Sequence, residues 1–132
     1  MRTVRDMMRP EVEVLLGSES DAAAAGWLAG HDADTVALCG HDGTLTGSVS
    51  NRDIVTKVVA KGLDPAQVSL SEIADRDDVL AVDVDLPADD AVAVMCRHHR
   101  SRLPVTEGTR VIGLLVQRDL ARTLALRPWT DS

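Results

Sequence analysis

The 132-residue chain carries 14 Lys and Arg against 21 Asp and Glu, a formal charge of -7, and is 45% apolar but only 2% aromatic. That length suits one module with an aliphatic core, and the apolar share is high enough to fold without disulfides or a metal. The acidic balance opposes binding along a nucleic-acid backbone, and two Trp with no Phe or Tyr leave little for single-stranded bases to stack on. No apolar run approaches the roughly 18 residues of a membrane span and no leader-like start is seen, so the expectation is a cytoplasmic protein with neither nucleic acid nor membrane as partner.

In chain order, Val4-Arg5-Asp6-Met7-Met8 predicts a helical turn and residues 12–16 a short extended stretch. Ser18 and Ser20 then introduce a helix from Asp21 to about residue 31, rich in Ala and with a Ser N-cap. Residues 35–39 and 45–50 read as strands around His41-Asp42-Gly43, a hairpin in which glycine supplies positive φ. A closing helix places Ile54, Val55, Val58 and Val59 on one face, Lys57 and Lys61 outside it, and Gly62 at its end.

The series then restarts. Leu70-Ser71-Glu72-Ile73-Ala74 follows the first helical turn by 66 residues, and Gly113-Leu114-Leu115-Val116-Gln117-Arg118-Asp119 follows Gly47-Ser48-Val49-Ser50-Asn51-Arg52-Asp53 by the same interval. Between them His98 follows His31, and Leu103-Pro104-Val105 follows Val36-Ala37-Leu38, by 67. The second series has an extended stretch at 79–82 and a helix opened by Pro87, with Asp89 and Asp90 at its positive end and Val92, Met95, Cys96 and His99 on one face. Strands at 103–106 and 111–116 flank Glu107-Gly108, and Leu120, Ala121, Leu124 and Ala125 line the last helix. The repeats are drawn at 1–62 and 68–126, with a linker at 63–67 and a tail at 127–132 that holds Trp129. Neither half is large enough to stand alone, so the expectation is one intimately packed α/β (α+β) module.

Ser50-Asn51-Arg52-Asp53 carries the most legible chemistry. A carboxylate can accept from both hydroxyls of a ribose, and free N–H groups at a helix start suit a phosphate. The same residues also read as a capping box that needs no ligand. In the second copy Val116 lacks the hydroxyl, while Asp119 and Arg118 remain. Cys39 and Cys96 have no CxxC spacing and read as buried thiols. The adjacent His98-His99 cannot turn both rings to one metal from a regular helix, and no nucleophile or cofactor motif appears, so no catalytic residue, no metal and no enzyme activity is expected.

Val4-Arg5-Asp6-Met7-Met8-Arg9-Pro10, Arg102-Leu103-Pro104-Val105 and the two glycine-to-aspartate segments, in this order and twice over, resemble paired CBS domains, the Bateman module, in its stand-alone bacterial form similar to the hypoxic-response type. The resemblance implies two tandem β-α-β-β-α repeats with pseudo-twofold symmetry, a homodimer, and a regulatory adenosine-type ligand such as AMP, ADP, ATP or S-adenosylmethionine, with no obligatory cofactor and an unknown regulated protein as partner. It assigns Ser50, Arg52 and Asp53 to phosphate and ribose, Val12 and Val14 to adenine, and Asp119 with Arg118 to a second site. Val116, and Ala37 where the second repeat has Pro104, depart from the pattern. The competing reading is a stress-associated dimer that binds no nucleotide and acts through protein association.

Overall fold

The computed structural model describes residues 2–77 and 79–124. The sequence-based expectations for Ala125, for the end of the second repeat at 126 and for the tail with Trp129 lie outside those residues. In chain order the elements are α1 (Val4–Met7), β1 (Val14–Leu16), α2 (Asp21–His31), β2 (Thr35–Cys39), β3 (Leu45–Ser50) and α3 (Asn51–Ile54), which continues into a π-helical turn at Val55–Val59. A 3-10 turn at Pro65–Gln67 precedes α4 (Leu70–Ile73), β4 (Val82–Asp83), α5 (Ala88–His98), β5 (Arg102–Glu107), β6 (Arg110–Val116) and α6 (Gln117–Thr123). This is the mixed α/β architecture of a twice-written unit. Each copy has a three-stranded sheet, β1-β2-β3 or β4-β5-β6, with a parallel first pair and an antiparallel second pair.

The compact units do not coincide with the repeats drawn from sequence. A contiguous unit spans Glu13–Val79, and a split unit joins Met1–Val12 to Leu80–Ser132. α4, expected to open the second repeat, belongs to the contiguous unit, and α1 belongs to the split one. Backbone bonds show why. The amides of Leu70 and Ser71 donate to the carbonyls of Glu19 and Gly17, while those of Val4 and Arg5 donate to Leu86 and Val84. A four-residue helix leaves most of its polar backbone without an internal partner, so each leading turn settles where a loop supplies partners. The turn then buries Leu70 and Ile73 in one unit, and Val4 and Met7 in the other.

The split unit's core joins Met95 and Ala91 of α5 to Leu103, Val105 and Leu115 of its sheet and Leu120 of α6. The contiguous unit joins Ala24 and Leu28 of α2 to Val36, Leu38 and Val49, with Val58 behind them. Each fully buried Leu or Val contributes about 1.5–3 kcal/mol. In both units the last strand of the sheet is pinned by the leading segment through paired backbone bonds, Ser48 with Asp75 and Leu114 with Arg9. Glycine permits this approach. A Cβ at Gly113 would meet the Arg9 carbonyl oxygen at 2.5 Å, and one at Gly47 would meet that of Asp75 at 2.9 Å.

Several local expectations are corrected. Val55 and Val59 are exposed, and of the expected apolar face of this segment only Val58 is fully buried. The π turn, closed by Ala60 N to Val55 O, breaks the 100° periodicity on which that face was drawn. On α5 the buried stripe is Ala88, Ala91 and Met95. Cys96 and His99 are exposed, so only Cys39 is a buried thiol. His99 takes a left-handed conformation that ends α5, as Asp32 does for α2. Among the described residues no helix is long and apolar enough to cross a membrane.

Asp21 is an anomaly within the contiguous core. It follows the Ser20 N-cap of α2, has 0% exposure, and neither carboxylate oxygen has a hydrogen-bond partner among the described residues. Burial pushes its carboxyl pKa up. Its counterpart is Ala88: the Asp21 amide donates to Val68 as the Ala88 amide donates to Arg2. The fold therefore does not require a carboxylate here. Both states hold the proton well below 3.8; as pH rises, the unfolded chain releases it first, so Asp21 subtracts stability from that point upward. Asp21→Ala is expected to raise the neutral-pH melting temperature by a few degrees, about 1 kcal/mol, and calorimetry across pH 3–7 should show the gain vanish toward the acid end. Gly113→Ala, by contrast, is expected to lower stability by about 1–3 kcal/mol in a denaturant titration.

Candidate functional site

In the contiguous unit the end of β3 turns directly into α3. Ser50 caps that helix, and its amide and hydroxyl both donate to Oδ2 of Asp53, at 2.9 and 3.0 Å, while the Asp53 amide donates back to Ser50 Oγ at 3.1 Å. The capping box is therefore real, and it also aims the carboxylate. The second oxygen, Oδ1, takes Lys57 Nζ at 3.0 Å from one turn further on, and the same ammonium donates to the Ile73 carbonyl at 3.0 Å. Burial works against the Asp53 carboxylate, but the Ser50 amide, the Lys57 ammonium and the Ser50 hydroxyl more than offset it and hold the pKa low.

The face beside this carboxylate is set by strand register. Val14 pairs with Ala37 and Ala37 with Ser48, one row across the sheet, and the next row is Thr35 with Ser50. These side chains point away from the core side, where Leu15, Val36, Leu38 and Val49 pack. Val14 thus shares a face with Ser50, two strands across and one row along, about 12 Å away. Arg52 is exposed on α3. Val12 is also exposed but falls in the split unit.

The split unit builds the same corner from different chemistry. Val116 occupies the N-cap of α6 without a side-chain bond. Asp119 is instead gripped by Arg9, with Nε on Oδ2 at 2.7 Å and Nη2 on Oδ1 at 3.0 Å. That bidentate contact is the main cause of the low Asp119 pKa; burial opposes it, and the charges of Arg9, Arg122 and Arg118 add to it. Arg118 itself is exposed.

Two cations that complete these corners, Arg9 and Lys57, were not among the sequence-derived site residues. Lys57 had a signal, because an Asp four residues before a Lys is a favourable helix pair. Arg9 had none, since it stands 110 positions from Asp119.

Comparison with known proteins comes down on one family. The profile described as "CBS domain" matches residues 70–126. The hypoxic response protein 1 of Mycobacterium tuberculosis is 36% identical over 124 residues, covering 94% of this chain and 86% of the relative. A crystal structure of Hypoxic Response Protein I with two coordinated zinc ions is 36% identical, with TM-score 0.75 over 93% of this chain and 99% of that one. CBSX2 in complex with AMP is 22% identical, with TM-score 0.72 and coverages of 95% and 97%. The CBS domain pair of protein MJ0100, bound to 5′-methylthioadenosine and S-adenosyl-L-methionine, is 24% identical, with TM-score 0.68 and the same coverages. The last two likenesses establish the fold alone. Among the described residues no three His, Cys, Asp or Glu side chains gather as metal ligands.

Both carboxylates have folded pKa values below the ordinary 3.8. The stability they lend is therefore present above that value and lost as pH falls through the lowered ones. In an NMR titration of carboxyl carbons, Arg9→Met is expected to move the Asp119 midpoint up toward the ordinary value and to leave that of Asp53 in place.

Proposed function

The chain belongs to the CBS-domain family, and from that premise we propose that it is a regulatory module, not a catalyst, whose contiguous unit takes an adenosine-type ligand at the Ser50–Asp53 corner. The observation that carries the reading is the Asp53 carboxylate, ionised, half-buried and fixed by Ser50 beside the Val14–Ala37–Ser48 row. The ribose diol donates to Oδ1 in place of Lys57, and the released ammonium, with Arg52, turns to the phosphate. Adenine lies along the aliphatic row that begins at Val14. AMP in CBSX2 and S-adenosylmethionine in the MJ0100 pair support this ligand class.

The two corners then differ in readiness. Displacing one lysine from one oxygen is easier than breaking a bidentate arginine pair, so Asp119 is the weaker site and Arg9 its gate. We place the protein in the cytoplasm as a homodimer whose two arrangements differ in affinity for the ligand, the difference that lets a partner read occupancy. The ion pairs on both carboxylates also favour a second reading, a dimer that binds no nucleotide and works by protein association.

Isothermal titration with AMP and with S-adenosylmethionine separates the two readings. The wild type is expected to bind one equivalent per chain, Asp53→Ala to lose it, and Arg9→Met to gain a second. Absence of both heat and thermal shift with either ligand overturns the sensor reading in favour of the ligand-free one.

A further inference from the structure

The contiguous unit contains a cavity of about 350 Å3 at the other end of its sheet, where β1 and β2 finish at Leu16 and Cys39. Four residues of β2 separate it from the Thr35–Ser50 row, a distance of about 13 Å at the rise of a strand.

The cavity results from side chains, not from the fold. The two units correspond residue for residue in this region: Ser71 N to Gly17 O matches Arg5 N to Val84 O, Leu70 N to Glu19 O matches Val4 N to Leu86 O, and both sheets slip register at the same place, after Leu38 and after Val105. Gly17, Gly40, Ser71 and Ala74 therefore stand where the split unit has Val84, Glu107, Arg5 and Met8. In the split unit Arg5 and Glu107 stand there as an exposed ion pair of 2.7 Å, and Met8 packs against the core with its sulfur toward Gly113. Four truncations at the equivalent positions leave the contiguous unit open.

What lines the opening has a consistent chemistry. Its lining includes the apolar residues Leu16, Leu38 and Cys39 and the hydroxyl-bearing residues Ser18, Thr46 and Ser71. Arg76 reaches the rim, held by a bond from Nη2 to the Ser71 carbonyl at 3.0 Å. That bond uses one of five guanidinium donors, and among the described residues no carboxylate lies within ion-pair distance of Arg76. His41 stands at the same mouth. Burial and then the charges of Asp42 and Glu19 push the Cys39 thiol pKa up in this lining, so the Arg76 guanidinium, with no carboxylate in ion-pair distance among the described residues, is the local cationic contact that an anion would need there.

We propose that this cavity is a second ligand site, distinct from the Ser50–Asp53 corner, for a small organic anion: a carboxylate or phosphate on Arg76 and the hydroxyls, its short apolar body on Leu16, Leu38 and Cys39. Two-dimensional NMR titrations of the full chain with butyrate, benzoate and phenyl phosphate, with n-butanol as the neutral control, test it. At least one anion is expected to give saturable shifts at the amides of Gly17, Ser18, Gly40 and Ser71. It should bind about tenfold tighter than butanol, the size of one charge-assisted hydrogen bond. Arg76→Gln should erase that preference. Ala74→Met, which restores the side chain the split unit carries at this place, should abolish binding while an AMP titration of the same variant stays as in the wild type. Should either variant fail to fold, the other decides. Saturable shifts from none of the anions, equal binding of butanol by the wild type, a preference that survives in folded Arg76→Gln, or shifts that survive in folded Ala74→Met overturn the proposal.

Discussion

At Gly113 a methyl group would lie 2.5 Å from the carbonyl oxygen of Arg9, and at Gly47 one would lie 2.9 Å from that of Asp75. This is the approach of a leading segment to the last strand of its sheet, and much else is positioned by it. The Arg9 amide and carbonyl exchange bonds of 2.8 and 2.9 Å with Leu114. That exchange fixes the backbone of Arg9 five residues before Asp119 in β6 and α6, close enough for the guanidinium to engage both carboxylate oxygens. Asp75 exchanges the same bonds with Ser48 and so places Ala74 and Arg76 along the rim of the cavity. The glycine that opens each glycine-to-aspartate segment is thus a packing requirement with functional consequences at two different sites.

One frame serves two chemistries. Backbone bonds repeat between the units at intervals of 66 or 67, and Arg52-Asp53 recurs as Arg118-Asp119, yet the side chains around those carboxylates have diverged. Ser50 has Val116 as its counterpart, Lys57 has Thr123, and Asp75 has Arg9. One carboxylate is therefore held by a hydroxyl and a single ammonium contact, the other by a planar two-pronged guanidinium. Asp21 against Ala88 follows the same division, a buried acid in one core and a methyl in the other.

The repeat, the hairpins, their turn glycines and the Ser50–Asp53 box were legible in the sequence because each rests on local periodicity or on contacts within four residues. The family resemblance rested on the same local segments. What was hidden depended on distance or on broken regularity. Arg9 and Asp119 meet only once the sheet is formed. The exposure of Val55 and Val59 follows from a π turn, which no apolar pattern announces. Cys96 was assigned to the core because Val92, Met95 and His99 share its helical spacing, but the face that packs is offset toward Ala88 and Ala91. The cavity was equally out of reach, since it consists of four small residues from three separate stretches, recognisable only against the larger residues of the other unit.

The crossing of the leading turns also orders events in time. The buried core residues of the contiguous unit all lie within Glu13–Val79, so that core can close while the rest of the chain is still being made. The split unit cannot. Val4 and Met7, buried with Val82, Met95 and Leu120 in one core, are synthesised before them and must wait for about 75 to 115 further residues, some seconds or more at ordinary elongation rates. During that wait the segment that carries Val4, Met7 and Met8, and that pairs with β6 through Arg9, has its partner not yet synthesised. Arg5 and Asp6 within α1, with Arg2 and Arg9 on either side of it, interrupt its apolar residues with charge until Leu114 arrives to pair with Arg9.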